Sequence, residues 1–120
     1  VRTKRMTTRL TRDLKRKGYS AEAINGDLRQ NQRDAVMRRY RSGKTTILVA
    51  TDIVARGIDI DDIGVVINYD IPDTSETYVH RIGRTGRANK EGQAHTLVYA
   101  REQKEIESIM RETQNHIIPA

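Results

Sequence analysis

The alternation of short apolar runs with segments of helical periodicity is the feature that most constrains how this chain folds. Residues 46–50 and 65–69 are mainly apolar or β-branched, and each run is too short for a buried helix. Such runs are typical of strands that are buried on both faces of a parallel sheet. Residues 19–25 and 94–99 predict two further strands.

Segments with helical spacing separate these strands. A helix is predicted to begin at about Ser75, and Gly18 and Gly43 are predicted to end the first two helices. The side chains that predict the other helices are Met6, Leu10 and Leu14, then Arg33, Val36, Met37 and Tyr40, and finally Ile106, Ile109 and Met110. The alternation predicts an α/β fold, a doubly wound parallel sheet with helices on both faces and right-handed connections.

Length and composition limit the possible functions. The 120 residues are enough for one domain, which we take to span residues 1–120. Cysteine is absent, which excludes disulfides and thiolate metal sites and fits a reducing compartment. No segment has the apolar length of a membrane span, and the start does not resemble a signal peptide.

The chain is basic, with a formal net charge of +6. Residues 1–17 contain eight lysines or arginines and one acid, Asp13. Such a balance favours a polyanionic partner, nucleic acid first and an acidic membrane second. For most of these positions a solvated helix face is the simpler interpretation.

Gly43-Lys44-Thr45 looks like the end of a phosphate-binding P-loop. That motif requires a glycine at position 38, where this chain has arginine, and it must follow a strand and open a helix. Here the tripeptide follows a predicted helix and precedes a strand. We therefore interpret it as a helix end and turn, which leaves the chain without a phosphate cradle of its own.

The strongest signal is the segment at 80–87. Its arginines, Arg81, Arg84 and Arg87, are three residues apart, so a helical turn would project them to nearly the same side. Gly83 and Gly86 remove side chains beside them and let a ligand approach the backbone. Guanidinium groups match phosphate oxygens, so an anion site is predicted. A basic helix end would explain one or two of the arginines.

Polar residues also follow the predicted strands, where functional residues of α/β sheets collect. Thr51 offers a hydroxyl to a phosphate, and Asp59 could accept hydrogen bonds from a ribose. Capping of a turn is the alternative role for Asp52 and Asp59. Gly26-Asp27 precedes a helix whose first turn contains Arg33, where an anion is welcomed by free amides.

Together these motifs resemble those of DEAD-box RNA helicases. Residues 50–59 and 78–87 look like the fifth and sixth conserved motifs, and Gln30-x-x-Arg33 resembles the QxxR motif. Residues 1–4 look like the tail of the fourth motif, and residues 68–72 resemble a linking segment. The resemblance covers residues 1–99. His80 favours the DEAD-box class over DEAH-type or RecQ-type helicases.

The resemblance implies a second RecA-like domain that lacks most of its first strand. Arg84 and Arg87 would be arginine fingers that reach the γ-phosphate of ATP, and Asp59 would contact the ribose. His80 and Arg56 would couple the nucleotide and RNA sites. ATP and Mg²⁺ would be held mainly by an N-terminal RecA-like domain, so the isolated chain should be an inactive monomer.

For RNA, the resemblance implies backbone contacts from Gln30, Arg33 and Thr51, with Thr3 or Lys4 a weaker addition. Residues that would support the motifs are Asp52, Arg81, Gly57, Gly83 and Gly86. Asn25 departs from the histidine that the family often has before Gly-Asp, and we expect little consequence.

The full enzyme would use ATP hydrolysis to unwind RNA duplexes or remodel ribonucleoproteins, in the cytoplasm or in a eukaryotic nucleus. It would not be secreted, and it would need neither a membrane nor a metal site of its own in this domain. Two alternatives remain: a DNA helicase of the same superfamily, and a non-catalytic module that binds nucleic acid through the basic face alone.

Overall fold

The computed structural model describes residues 1–56, 63–83 and 92–114. The chain divides into two compact units, Val1–Ile58 and Asp59–Ala120, and each is described by itself. None of the helices in the described ranges combines the length and apolarity needed to cross a bilayer.

Within residues 1–56, the first unit contains three helices and a two-stranded parallel sheet. Its elements follow the chain as α1 (Lys4–Arg16), β1 (Ala21–Ile24), α2 (Gln30–Arg41), β2 (Ile47–Ala50) and α3 (Asp52–Arg56). Strand β1 pairs with β2 in a register that places Ile24 opposite Ala50. Because the strands are parallel, both end at the same edge of the sheet.

Glycines end α1 and α2, as the sequence predicts. Gly18 has a φ of 93° and Gly43 a φ of 84°, the left-handed conformation that favours glycine at a helix end. After α1, Gly18 donates to the carbonyl of Lys15 at 3.0 Å and Tyr19 donates to that of Leu14 at 3.1 Å. The Gly43-Lys44-Thr45 tripeptide therefore follows a helix and precedes β2, which confirms that it is not a P-loop.

The core of the first unit lies between the sheet and its helices. Helix α1 packs on β1 and β2, and α2 packs on β1. The buried apolar residues are Ala21, Ile24, Val36, Met37, Val49 and Val54. Two threonines of α1, Thr7 and Thr11, are also buried, whereas Met6, Leu10 and Leu14, whose spacing predicted this helix, are partly buried.

The second unit is built in the same way. Its described residues form β3 (Val65–Asn68), α4 (Ser75–Ile82), β4 (Gln93–Thr96), a short 3₁₀ helix (Ala100–Glu102) and α5 (Gln103–Thr113). Strand β3 pairs in parallel with β4, and Asn68 lies opposite Thr96. The hydrophobic core is formed by Ile71, Tyr78, Ile106 and Ile109, with Ile82 packed against it.

Within the described residues, the structure differs from the sequence predictions in two places. Val65 and Ile67 are 49% and 60% exposed, so β3 is not buried on both faces. Strand β4 ends at Thr96 rather than at residue 99. Helix α4 ends at Ile82 with Gly83 as its C-cap, and residues 84 and 87 lie outside the described residues, so their alignment with Arg81 stays a prediction.

Candidate functional site

The starts of three helices gather at the edge of the first sheet where β1 and β2 end. The chain leaves β1 through Asn25 and leaves β2 through Thr51, on neighbouring parallel strands. The amino group of Val1 donates to the Ala50 carbonyl at 2.9 Å, which brings the start of the chain to the same edge. Thr3 and Lys4 are thereby brought to the edge where Thr51 lies.

A closed circuit of hydrogen bonds joins the first turn of α1 to the turn before α2. The Asn25 side chain, which is buried, donates to Thr7 Oγ1 at 2.9 Å and accepts from the Asp27 amide at 2.9 Å. The Thr7 hydroxyl donates to the Lys4 carbonyl at 2.6 Å, and Lys4 Nζ donates to Asp27 Oδ1 at 2.8 Å. The circuit holds Lys4 beside the Gly26-Asp27 turn.

Arg33 presents a half-buried guanidinium in the first turns of α2. Its backbone amide donates to the Arg29 carbonyl at 3.0 Å, as the helix requires. Its Nε is buried without a hydrogen-bond partner, and the side chain makes no ion pair within the described residues. A buried donor without an acceptor is destabilising, and a phosphate oxygen would satisfy it.

The other residues predicted to hold RNA lie around the same edge. Gln30 is the first residue of α2, and its Nε2 donates to Asp34 Oδ1 at 3.0 Å. Thr3 is the N-cap of α1, where its hydroxyl accepts from the Met6 amide at 3.1 Å. Thr51 is buried, and its hydroxyl makes no hydrogen bond in the described part of the chain. The hydroxyl hydrogens of Thr3 and Thr51 can therefore be donated to an anion.

Asp52 and Arg56 are the first and last residues of α3. The sequence predicts at most a capped turn at this position, so sequence analysis missed this five-residue helix. Gly57 and Asp59 lie outside the described residues, so the ribose contact and the supporting role of Gly57 stay predictions.

Arg81 is anchored within the second unit. Its side chain is only 7% exposed, and it donates to the Asp70 carbonyl at 2.6 Å and to Asp70 Oδ1 at 3.0 Å. The contact joins the end of α4 to the segment that follows β3. It is the contact of a bracing residue, which is the role that the resemblance implies for Arg81.

His80 and Gly83 also lie at this end of α4. His80 Nε2 is 3.5 Å from Glu76 Oε1, one turn back on the same helix. Gly83 has a φ of −66°, which any residue can adopt, and donates to the Val79 carbonyl at 2.9 Å. Arg84, Gly86 and Arg87 lie outside the described residues, so the arginine-finger assignment stays a prediction.

Sequence reasoning missed the part played by Asn25 and Thr7. From the sequence, Asn25 is expected to have little consequence, whereas in the structure its side-chain amide is buried and hydrogen-bonded at both ends. An asparagine two residues before an amide that needs an acceptor is a recognisable turn signal. Its partner Thr7 is distant in sequence, so the pairing had no local signal.

Among the described residues, no group of three or more histidine, aspartate or glutamate side chains could hold a metal ion.

Residues 1–89 match the helicase conserved C-terminal domain family. The chain belongs to this family. The helicase domain is 50% identical over 118 residues to the ATP-dependent RNA helicase CshA of Listeria monocytogenes, covering 98% of this chain and 23% of that protein.

Solved structures agree with this membership. The helicase domain superposes with a TM-score of 0.90 on a DEAD box protein of Methanococcus jannaschii, at 46% identity, covering 97% of this chain and 32% of that one. The TM-score is 0.84 for Saccharomyces cerevisiae Dbp5 bound to RNA and ADP BeF3, at 35% identity, covering 92% and 30%. The predicted fold class, a RecA-like α/β domain of the DEAD-box helicases, is confirmed.

Proposed function

We propose that this helicase domain is the C-terminal half of the motor of an ATP-dependent RNA helicase, which couples ATP hydrolysis to RNA unwinding or ribonucleoprotein remodelling. The domain would grip the RNA backbone and complete a nucleotide site that an N-terminal RecA-like domain of the same protein mainly provides. Its kinship with ATP-dependent RNA helicases supports this division of labour.

The observation that carries the RNA-binding part is the half-buried guanidinium of Arg33, which has no partner among the described residues and lies at an edge where three helices begin. Phosphate contacts position a protein on a nucleic acid without reading its sequence. Arg33 would form charge-assisted bonds to a phosphate, and the Thr51 hydroxyl would donate another. Gln30 would contribute its amide, and Thr3 and Lys4 would add contacts from the start of α1.

Lys4 and Asp27 form an exposed ion pair in the free domain, at 2.8 Å. An exposed pair of this kind is worth little, about 0–1 kcal/mol, so a phosphate can compete with Asp27 for the ammonium group. Lys4 would thus lie beside the path of the RNA backbone and could exchange Asp27 for a phosphate.

The nucleotide part of the proposal rests on the family motifs. Arg84 and Arg87 would neutralise charge that develops on the γ-phosphate, an effect worth roughly 10³- to 10⁵-fold in turnover for an arginine finger. Asp59 would bind the ribose, and His80 and Arg56 would transmit closure between the nucleotide and RNA sites. The support residues would be Asp52, Arg81, Gly57, Gly83 and Gly86.

The phosphate-binding loop, the residue that orients the attacking water and the Mg²⁺ site would belong to the N-terminal domain. In the first unit, the glycine-lysine-threonine tripeptide ends a helix, so it does not supply that loop. We therefore expect the isolated chain to be monomeric and to hydrolyse no ATP, with or without RNA. ATPase activity of the isolated chain would contradict this division.

The proposal is tested by RNA-stimulated ATPase assays on the full-length protein. Arg33→Ala should raise the RNA concentration for half-maximal stimulation by about tenfold, because one charge-assisted contact is lost. Turnover at saturating RNA should change far less. Arg38→Ala, an exposed arginine farther along α2, is the control.

Single-stranded DNA and RNA are compared in the same assay. Stimulation by RNA alone supports an RNA helicase, and stronger stimulation by DNA would contradict the proposal. If Arg33→Ala and Arg38→Ala had equal effects, the Arg33 assignment would be wrong.

A further inference from the structure

A groove of about 910 Å³ lies over β1 between α1 and α2, and we call it the α1–α2 groove. Its apolar lining consists of the buried Val36 and the partly buried Ala23, Leu28 and Ala35. Its basic lining consists of Arg12, Lys15, Arg16 and Arg39, whose side chains are exposed. The α1–α2 groove therefore combines an apolar floor with a basic rim.

One of the four cations is already neutralised. Arg39 donates to both Glu22 oxygens, at 2.9 and 2.6 Å, and the Thr45 hydroxyl donates to the same carboxylate. The Arg39 guanidinium is the main reason that the pKa of Glu22 is lowered, so Glu22 stays ionised and occupied. The charge of Lys15 is the smallest of the causes that lower this pKa, so Glu22 offsets Lys15 only weakly.

The other rim cations are available to a partner. The side chains of Arg12 and Lys15 make no ion pair or hydrogen bond in the part of the chain that the structure describes. Arg16 lies 3.9 Å from Asp13, and both side chains are largely exposed. At the α1 wall, the buried Thr11 hydroxyl has no hydrogen-bond partner within residues 1–56, 63–83 and 92–114, so the groove also offers one unsatisfied polar atom.

We propose that the α1–α2 groove docks an acidic amphipathic peptide segment of a protein partner. Aspartate or glutamate side chains would pair with Arg12, Lys15 and Arg16. Aliphatic or aromatic side chains between them would cover the floor formed by Ala23, Leu28, Ala35 and Val36. Both halves of the groove are then used, because charge sets orientation and approach while apolar burial contributes affinity.

Nucleic acid fits this groove less well. Single-stranded nucleic acids are held by cations together with aromatic side chains on which bases stack. None of the described residues that line the groove is aromatic. A phosphate backbone over an aliphatic floor would leave that floor uncovered, whereas a peptide with apolar side chains would bury it.

The groove is separate from the proposed RNA contacts. Residues 32, 35, 36 and 39 of α2 line the groove. On a helical wheel of 100° per residue, their mean direction is about 140° from that of Gln30 and Arg33. A peptide in the groove and RNA at the strand ends can therefore bind together, so the partner would recognise the RNA-bound helicase as well as the free one.

The test uses the full-length protein and a fluorescent pool of short synthetic peptides that alternate aspartate or glutamate with leucine, isoleucine, valine or phenylalanine. A matched pool replaces each acid with lysine. Binding is measured by fluorescence anisotropy at low and physiological salt, in parallel with a single-stranded RNA. Arg12→Glu with Lys15→Glu reverses the rim, and Arg38→Glu with Lys44→Glu, exposed positions outside the groove, makes the same change in charge.

We expect the acidic pool to bind and the lysine pool not to bind. The rim variant should weaken peptide binding by about tenfold or more and leave RNA binding within about twofold. Ala35→Lys, which fills the floor while adding a positive charge, should also weaken peptide binding. It separates apolar docking from simple charge attraction.

Four outcomes would overturn the proposal. The first is no binding of the acidic pool to the wild-type protein. The second is equal weakening by the rim variant and its control. The third is tighter binding of the acidic pool to Ala35→Lys. The fourth is a loss of RNA affinity in the rim variant as large as its loss of peptide affinity. Either of these two results would assign the groove to polyanions such as RNA.

Discussion

The side-chain amide of Asn25 donates to the hydroxyl of Thr7 at 2.9 Å, and both side chains are buried. This bond joins the end of β1 to the inward face of α1. Through the other bonds of the circuit, it fixes the Gly26-Asp27 turn and the carbonyl of Lys4 relative to each other. The RNA-binding edge that we propose is therefore built on a buried polar contact.

Replacing Thr7 with valine should lower the local stability of the first unit by about 1–3 kcal/mol, because it leaves a buried amide donor unsatisfied without changing the shape of the side chain. Asn25→Ala should have a similar cost. The double variant should cost less than the sum of the two. Hydrogen exchange of the β1 and β2 amides in the full-length protein measures this, and strict additivity would show that the bond contributes nothing.

Glu22 should make the stability of the first unit depend on pH. The bond from Arg39 is the main cause that lowers the pKa of Glu22 below its ordinary value of 4.5. A lowered carboxyl pKa stabilises the fold above the unfolded value, and that contribution is lost as pH falls through the folded pKa. Near neutral pH, Glu22→Gln should cost about 1 kcal/mol in β1 amide protection.

The difference between wild type and Glu22→Gln should shrink as the pH falls below 4.5. Glu105→Gln, an exposed position on α5, is the control and should show no such dependence in β1. A constant difference down to acid pH would contradict the role assigned to the Glu22–Arg39 pair.

Arg81 should stabilise the second unit. Removing one partner of a buried ion pair leaves the other uncompensated, and we expect a cost of about 3 kcal/mol for Arg81→Ala, the low end because Asp70 is 25% exposed. Arg81→Lys should recover little, since an ammonium cannot donate to the Asp70 carbonyl and carboxylate in the same fork geometry. Hydrogen exchange of the α4 amides measures the stability of both variants. Full recovery of protection by lysine would contradict the two-point contact of Arg81 with Asp70.

Arg87 should act on the transition state rather than on bound ATP. A group on the far wall of a cleft meets the γ-phosphate when the two domains close, so its effect should appear mainly in kcat. In the full-length protein, Arg87→Ala should lower RNA-stimulated kcat by about 10³-fold while changing the Kd for ATP far less. Equal losses in kcat and in ATP affinity would make it a ground-state clamp.

The sequence was sufficient for most of the fold. Runs at 46–50 and 65–69 predicted β2 and β3, because short apolar β-branched runs leave few alternatives, and Gly18 and Gly43 located two helix ends. Helix α3 was missed because five residues with one buried side chain, Val54, show no period.

The candidate site was only partly predictable. The motif alone identifies Arg33. Its Nε is buried without an acceptor among the described residues because of tertiary packing, which the sequence pattern does not show. The exposure of Val65 and Ile67 has the same origin, since a β-branched run does not reveal whether both faces of its sheet are covered. Long-range polar pairs such as Asn25 with Thr7 have no signal in the sequence pattern.

The central claim is that Arg33 binds RNA phosphates rather than stabilising the fold, and Arg33→Met tests it most directly. The measurement is the Kd of the full-length protein for several unrelated single-stranded RNAs over a range of salt, with Arg38→Met as control. We predict that Arg33→Met weakens all sequences alike and reduces the salt slope by about one. Protection of the β1 amides should be unchanged or raised, because a buried unpaired donor is removed. Loss of affinity for particular sequences alone, or an unchanged slope with lower protection, would contradict the account.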